Sequence, residues 1–128
     1  SSKLAAISKE LENVWQEDPG SKVLIFSQFL GFLDMMEHEF GNQGITTFRL
    51  DGSLSLKDRV KVIQEFGQAK KSTSATNRKG SVLLISMKAG GVGLNLVAAS
   101  SCFIADPWWN GAVEDQCINR IHRIGQTA

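Results

Sequence analysis

KVLIFSQFLGFLDMMEHEF, residues 22–40, passes from an unbroken apolar run straight into a helical period. VLIF at 23–26 has no polar alternation and reads as a strand buried on both faces. Phe29, Leu33, Met36 and Phe40 then recur at helical spacing until Gly41 and Gly44. A doubly buried strand that leads at once into a helix is the unit from which parallel α/β sheets are built.

The same alternation extends in both directions. Upstream, Leu4, Ile7, Leu11, Val14 and Trp15 mark a helix over about residues 3–17 that stops before the turn residues Asp18-Pro19-Gly20. Downstream, ITTFRL at 45–50 is a second strand ending in Asp51-Gly52. Ser55 can cap the next helix, with Asp58 three residues on, and Leu56, Val60, Ile63 and Phe66 are expected to face inward. VLLIS at 82–86 and CFIA at 102–105 supply a third and a fourth strand. A last helix runs from about Gly111 to Ile124, with Gly125 in the stop position. Four such strands separated by helices predict a three-layer α/β domain, a mainly parallel sheet flanked on both faces by helices. Ligands of such sheets collect at the carboxyl ends of the strands. Here those ends are Ser27-Gln28-Phe29, Asp51-Gly52-Ser53, Ser86 through Asn95, and Asp106 through Asn110.

At 128 residues the chain makes one domain, residues 1–128, with 42% hydrophobic content, 12 glycines and 2 prolines. That is ordinary globular composition, with length enough for a single core. No apolar run approaches membrane-span length, and the abrupt N-terminus lacks the pattern of a signal peptide. Cys102 and Cys117 fall on apolar stretches without metal-ligand spacing, so buried free thiols in a reducing compartment are expected. Charge is uneven: residues 1–40 carry three basic and seven acidic side chains, and residues 41–128 carry eleven and six. The stretch QAKKSTSATNRKG at 68–80 has four basic side chains and no acidic one, and reads as a flexible basic loop.

Several motifs hint at phosphate chemistry, and none decides it alone. SMKAGGVGLNL at 86–96 follows a strand, and its glycines let backbone amides approach a phosphate or ribose. It lacks the third glycine of a dinucleotide fingerprint, and no GxxxxGK[ST] loop occurs in the chain. Trp108 and Trp109 follow the fourth strand, where one can anchor the loop and the other can stack on a ligand. His38 and His122 are isolated and read as structural, and Asp106 has no partner spaced for acid–base work. In QCINRIHRIGQ at 116–126, Arg120 and Arg123 lie one turn apart, with Gln116 a turn earlier and Cys117, Ile121 and Ile124 on a separate apolar stripe. Guanidinium forks match phosphate oxygens and stay charged at any working pH. A solvated helix face is the commoner meaning of two arginines taken alone.

Their order is more specific. KVLIFSQF at 22–29, RLDGS at 49–53, SMKAGGVGLNL, DPWWN at 106–110 and QCINRIHRIGQ together resemble the second RecA-like lobe of SWI/SNF-type superfamily-two DNA-dependent ATPases, over nearly the whole chain. The opening SSKL, SLSLKDR at 53–59 and the DPWW cluster resemble the branch of helicase-like transcription factor and the yeast post-replication-repair ubiquitin ligases. The resemblance implies a P-loop NTPase-like fold without the P-loop.

It also implies roles. Arg123 matches the family's arginine finger and Arg120 its companion, reaching the ATP γ-phosphate across a cleft from a first lobe. Such a finger contributes roughly 10³ to 10⁵ in turnover. Gln116 would orient that helix or the phosphates, and Gly93 and Asn95 match positions near the ribose. Ser27, Gln28, Gly52, Ser53, Ser86 and Lys88 match segments that track the phosphates of a DNA strand, and Trp109 matches a tryptophan near DNA. Gly111 stands where the family often has proline, and Asn119 where a small or acidic residue is commoner.

Of the Walker lysine, magnesium-binding carboxylate pair and arginine finger that such an ATPase needs, only the finger is present. The implied activity is therefore that of a half-enzyme. It would serve an ATP-dependent double-stranded DNA translocase or chromatin remodeller in the nucleus, inert alone, with ATP and Mg²⁺ bound mainly by the first lobe in cis. Implied partners are double-stranded DNA or a nucleosome, and ubiquitin machinery if a RING accompanies the lobe; no membrane is implied. The competing reading is a non-hydrolysing DNA- or protein-binding module derived from the same lobe. A free-standing α/β nucleotide-binding enzyme is not expected, since the sequence holds neither a phosphate loop nor an acid–base pair.

Overall fold

The computed structural model describes residues 2–69, 78–86 and 101–105, with Ser2 and residues 101–104 described by their backbone alone. Helix α1 (Ser2–Glu17) precedes β1 (Val23–Ser27), α2 (Leu30–Asn42), β2 (Thr46–Leu50), α3 (Leu56–Gln68), β3 (Ser81–Ser86) and β4 (Ser101–Ile104). The expected final helix, from Gly111 to Ile124, lies outside the described residues.

The four strands form one sheet in the order β2-β3-β1-β4, and every pairing is parallel. Crossover handedness sets the layers. The chain leaves β1 through α2 and passes over β3 to reach β2, then returns through α3 to β3. Right-handed connections made in opposite directions along a sheet must lie on opposite faces, which is where the two helices are found. Ile7, Leu11 and Trp15 of α1 and Leu33, Met36 and Phe40 of α2 pack with Val23, Ile25, Val82 and Leu84 on one face. Phe66 of α3 packs with Leu24, Leu50, Leu83 and Ile85 on the other, with Phe26, Phe48, Val62 and Ile63 against them. The two-residue alternation of the strands is thus split between two cores, and all six residues of β3 are buried. Each fully buried aliphatic or aromatic side chain contributes about 1.5–3 kcal/mol, so these cores drive folding.

The stop of α2 is Gly44, with Gly41 inside the helix. Gly44 has φ +76°, and Ile45 N–H donates to the Phe40 carbonyl at 2.9 Å while Gly44 N–H donates to that of Gly41 at 3.1 Å. This is a Schellman ending, closed by Phe40 and Ile45 in the same core.

Three expectations need correction. Leu56 and Val60 point to solvent, at 70% and 46% exposure. The inward face of α3 is carried by Val62, Ile63 and Phe66, because the sheet lies against the side of the helix where residues 62, 63 and 66 converge. Phe29 is the N-cap of α2 and 41% exposed; the helical period that packs begins at Leu33. His38 is exposed on α2, so the core does not hold it. Of the stretch 68–80, read as a flexible basic loop, only the two ends are described: Gln68 closes α3, the Arg78 carbonyl accepts from Gly20 N–H at 2.9 Å, and Lys79 Nζ donates to the Gln43 carbonyl. Residues 70–77 lie outside the described residues, as do Cys117, His122 and the side chain of Cys102.

Among the described residues no helix is long and apolar enough to cross a membrane.

Candidate functional site

In a parallel sheet the carboxyl ends of all strands share one edge, and here they are level. Leu50, Ile85, Phe26 and Ile104 form one row across the sheet. Ser86 and Ser27 pair directly in the next, where Asp51 and Ala105 continue β2 and β4, and Ala105 N–H donates to the Phe26 carbonyl at 2.7 Å. β1 and β3 are neighbours whose following connections run in opposite directions, toward β2 and toward β4. A crevice opens above such a pair. Ser27 and Ser86 form its floor and are both buried.

The sequence shapes each exit from this edge. Ser27 Oγ accepts Phe29 N–H at 3.0 Å, a local side-chain-to-backbone bond that turns the chain from strand to helix. Phe32 and Leu33 N–H then both donate to the Phe29 carbonyl at 3.1 Å and start α2. Gln28, half-buried, sits in this turn.

After β2, Asp51 Oδ1 accepts Ser53 N–H at 2.8 Å and also the Ser53 hydroxyl, while Leu54 N–H donates to the Asp51 carbonyl at 3.3 Å. Arg59 Nε donates to the Leu54 carbonyl at 3.1 Å and its terminal nitrogen to the Gly52 carbonyl at 3.4 Å. Ser55 Oγ accepts Asp58 N–H at 3.1 Å and caps α3, as its spacing predicted. Gly52 and Ser53 are exposed at the loop tip.

A charge network backs this loop. Arg49 Nε donates to Asp51 Oδ2 at 2.9 Å, and one terminal nitrogen of Arg49 reaches Asp34 and, at 3.3 Å, Glu37 on α2. Arg49 and Asp51 are largely enclosed, whereas Asp34 and Glu37 are exposed, so the Arg49–Asp51 contact is the less screened half. The Ser53 hydroxyl, then its N–H and Arg49, hold the Asp51 carboxyl below the usual aspartate value against the opposing effect of burial. Burial acts to lower the Arg49 pKa, but hydrogen bonds to Asp34 and Asp51 raise it above the ordinary arginine value.

Of the site residues expected from sequence, Ser27, Gln28, Gly52, Ser53 and Ser86 gather on this one edge. Lys88, Gly93, Asn95, Trp109, Gln116, Arg120 and Arg123 lie outside the described residues. Sequence reasoning missed Arg49, Asp51 and Arg59 as the supports of the edge. The available signal was R-x-D at the end of a strand, which puts two opposite charges on one face.

The helicase conserved C-terminal domain model matches residues 2–125. The chain belongs to that family. It is 49% identical over 126 residues to the DNA repair protein RAD5 of Cryptococcus neoformans, covering 98% of this chain and 10% of the relative. Among solved structures, the C-terminal part of the Fun30 ATPase domain matches with a TM-score of 0.72 and 35% identity, over 98% of this chain and 38% of that one. The Sulfolobus solfataricus SWI2/SNF2 ATPase core in complex with double-stranded DNA matches with a TM-score of 0.67 and 29% identity, over 98% of this chain and 24% of that one. The fold is the C-terminal RecA-like lobe of SWI/SNF-type ATPases, and this helicase-family lobe spans about a tenth of the length of the curated relatives it matches.

Proposed function

We propose that the chain is the second lobe of an ATP-dependent, double-stranded DNA translocase of the nucleus, acting in DNA repair. One observation carries the reading: three segments that match the family's DNA-tracking segments share one sheet edge, Ser27 and Ser86 at its topological switch point and the Gly52–Ser53 tip beyond the end of β2. Ser27 and Ser86 are buried and form the floor, so a phosphodiester strand would be met by the exposed Gly52–Ser53 tip and by the turns that leave β1 and β3; contacts to phosphates need close approach and carry no sequence information. In this reading Lys88 and Trp109 extend the same strand contact. The DNA complex of the Sulfolobus relative supports double-stranded DNA as the partner class.

Arg120 and Arg123, with Gln116 beside them and Gly93 and Asn95 near the ribose, are assigned to the phosphate end of ATP and Mg²⁺ held mainly by a first lobe. The donor set fits a triphosphate: two guanidinium forks offer fixed, permanently charged donors to its terminal oxygens. The arginines would supply transition-state charge stabilisation in trans, and the docking of this lobe would follow the nucleotide while its edge grips the strand. Ubiquitin machinery joins the partners if a RING lies elsewhere in the full-length protein.

The test is Arg123→Ala in the full-length protein, read by DNA-stimulated ATP hydrolysis. Turnover should fall by roughly 10³- to 10⁵-fold, and near-normal turnover would overturn the assignment.

A further inference from the structure

The loop after β2 carries a carboxylate on an edge read as following phosphates. A bare aspartate there would repel a strand. Asp51 is instead turned inward and used: one oxygen accepts both donors of Ser53, and the other accepts from Arg49. The loop is gripped from both faces of the sheet, by Arg49 on the α2 side and by Arg59 from α3. With its N–H and hydroxyl both committed to Asp51, Ser53 is an internal brace. The tip left outward is Gly52. A Cβ there would meet nothing within 4 Å, and its φ lies outside the left-handed region, so neither packing nor backbone conformation within the described residues calls for glycine. Close approach of an external surface is a use of glycine that leaves no such trace within the chain.

We propose that Asp51 is a positioning residue for nucleic-acid binding: by bracing Ser53 against Arg49 it presents the side-chain-free Gly52 tip to a backbone phosphate. This rests on the DNA-tracking reading above. It makes a prediction of opposite sign to simple electrostatics. Removing a negative charge beside DNA should tighten binding if charge alone matters, and should loosen it if the carboxylate is a brace.

The experiment uses the full-length protein, measuring duplex affinity, the duplex concentration that half-maximally stimulates ATP hydrolysis, and the KM for ATP at saturating duplex. Asp51→Ala should raise the half-saturating duplex concentration about three- to tenfold, the scale of one or two hydrogen bonds, with the KM for ATP within about twofold of wild type. Asp51→Asn keeps an acceptor oxygen for Ser53 but sets an amide N–H against Arg49 Nε–H, so it should weaken duplex binding by less than Asp51→Ala does. Gly52→Ala has open space for its methyl group, so it folds and should weaken duplex binding to a similar extent as Asp51→Ala. The proposal is overturned if Asp51→Ala or Asp51→Asn binds duplex as tightly as wild type or more tightly, or if Gly52→Ala leaves affinity unchanged. Should Asp51→Ala fail to fold, Gly52→Ala decides. Wild-type protein whose ATPase ignores duplex would sink the underlying translocase reading as well, whereas normal stimulation with unaffected variants sinks the bracing role alone.

Discussion

Ser27 and Ser86 stand opposite each other in the parallel register of β1 and β3, each the last residue of its strand and each closed off from solvent. By strand alternation both side chains lie on the α2 face, with Ile25 and Leu84 two residues earlier. The connections beyond them diverge, so the crevice over this pair is set by topology. Small hydroxyl residues keep its floor low and polar where larger side chains would fill it.

Ser27→Ala should destabilise the chain by about 1–3 kcal/mol, because Phe29 N–H loses its acceptor at a partly buried turn. Urea unfolding measures this. A midpoint equal to wild type would show that another group takes the amide.

Gly80 is packed against backbone that cannot swing away. A Cβ at this position would lie 1.9 Å from the Ser21 carbonyl oxygen and 2.8 Å from the Gly20 carbonyl carbon. The Ser21 carbonyl also accepts Trp15 Nε1–H at 2.9 Å, so moving it disturbs a buried bond. Gly80→Ala should therefore cost about 1–3 kcal/mol or more, seen as a lower thermal midpoint.

Two apolar residues of α3 should behave in opposite ways. Phe66 is fully buried, meets Phe48 edge to face at 5.8 Å and lies under the Lys22 ammonium at 5.8 Å, whereas Leu56 is 70% exposed. Phe66→Ala should lose about 3–5 kcal/mol. Leu56→Ala should stay within about 0.5 kcal/mol of wild type. Equal losses in denaturant titrations would contradict this orientation of the helix.

The Asp51 carboxyl should titrate below the ordinary aspartate value of about 3.9 when followed by carboxyl NMR. Its folded pKa is depressed, so its contribution to stability is complete above the unfolded value and is lost as pH falls through the folded one, below about pH 4. Ser53→Ala, which removes the foremost cause of the shift, should move the titration upward. An unmoved titration would mean that the hydroxyl does not hold the carboxylate.

Much of the fold was legible because burial on both faces of a parallel strand leaves an uninterrupted apolar run. VLIF and VLLIS needed only composition to be read as central strands, and Ser55 with Asp58 marked a helix start that the structure reproduces. Orientation was harder. Leu56 and Val60 share the helical period of Ile63, so a stripe through all three looked as good as the one through Val62, Ile63 and Phe66 that packs. A period reports that a face exists, and only the position of the sheet tells which neighbouring face it is.

By itself the sequence determined the strand–helix alternation, the parallel sheet covered on both sides and the membership in the helicase C-terminal family, because these follow from local periodicity and from motifs in a fixed order. Tertiary structure alone decided that Ser27 meets Ser86 at the switch point, and that Asp34 and Glu37 reach across from α2 to Arg49. The first joins strands whose order in the sheet differs from their order in the chain, and the second depends on which face of β2 the helix α2 covers. Charge pairing over such separations leaves no period to read.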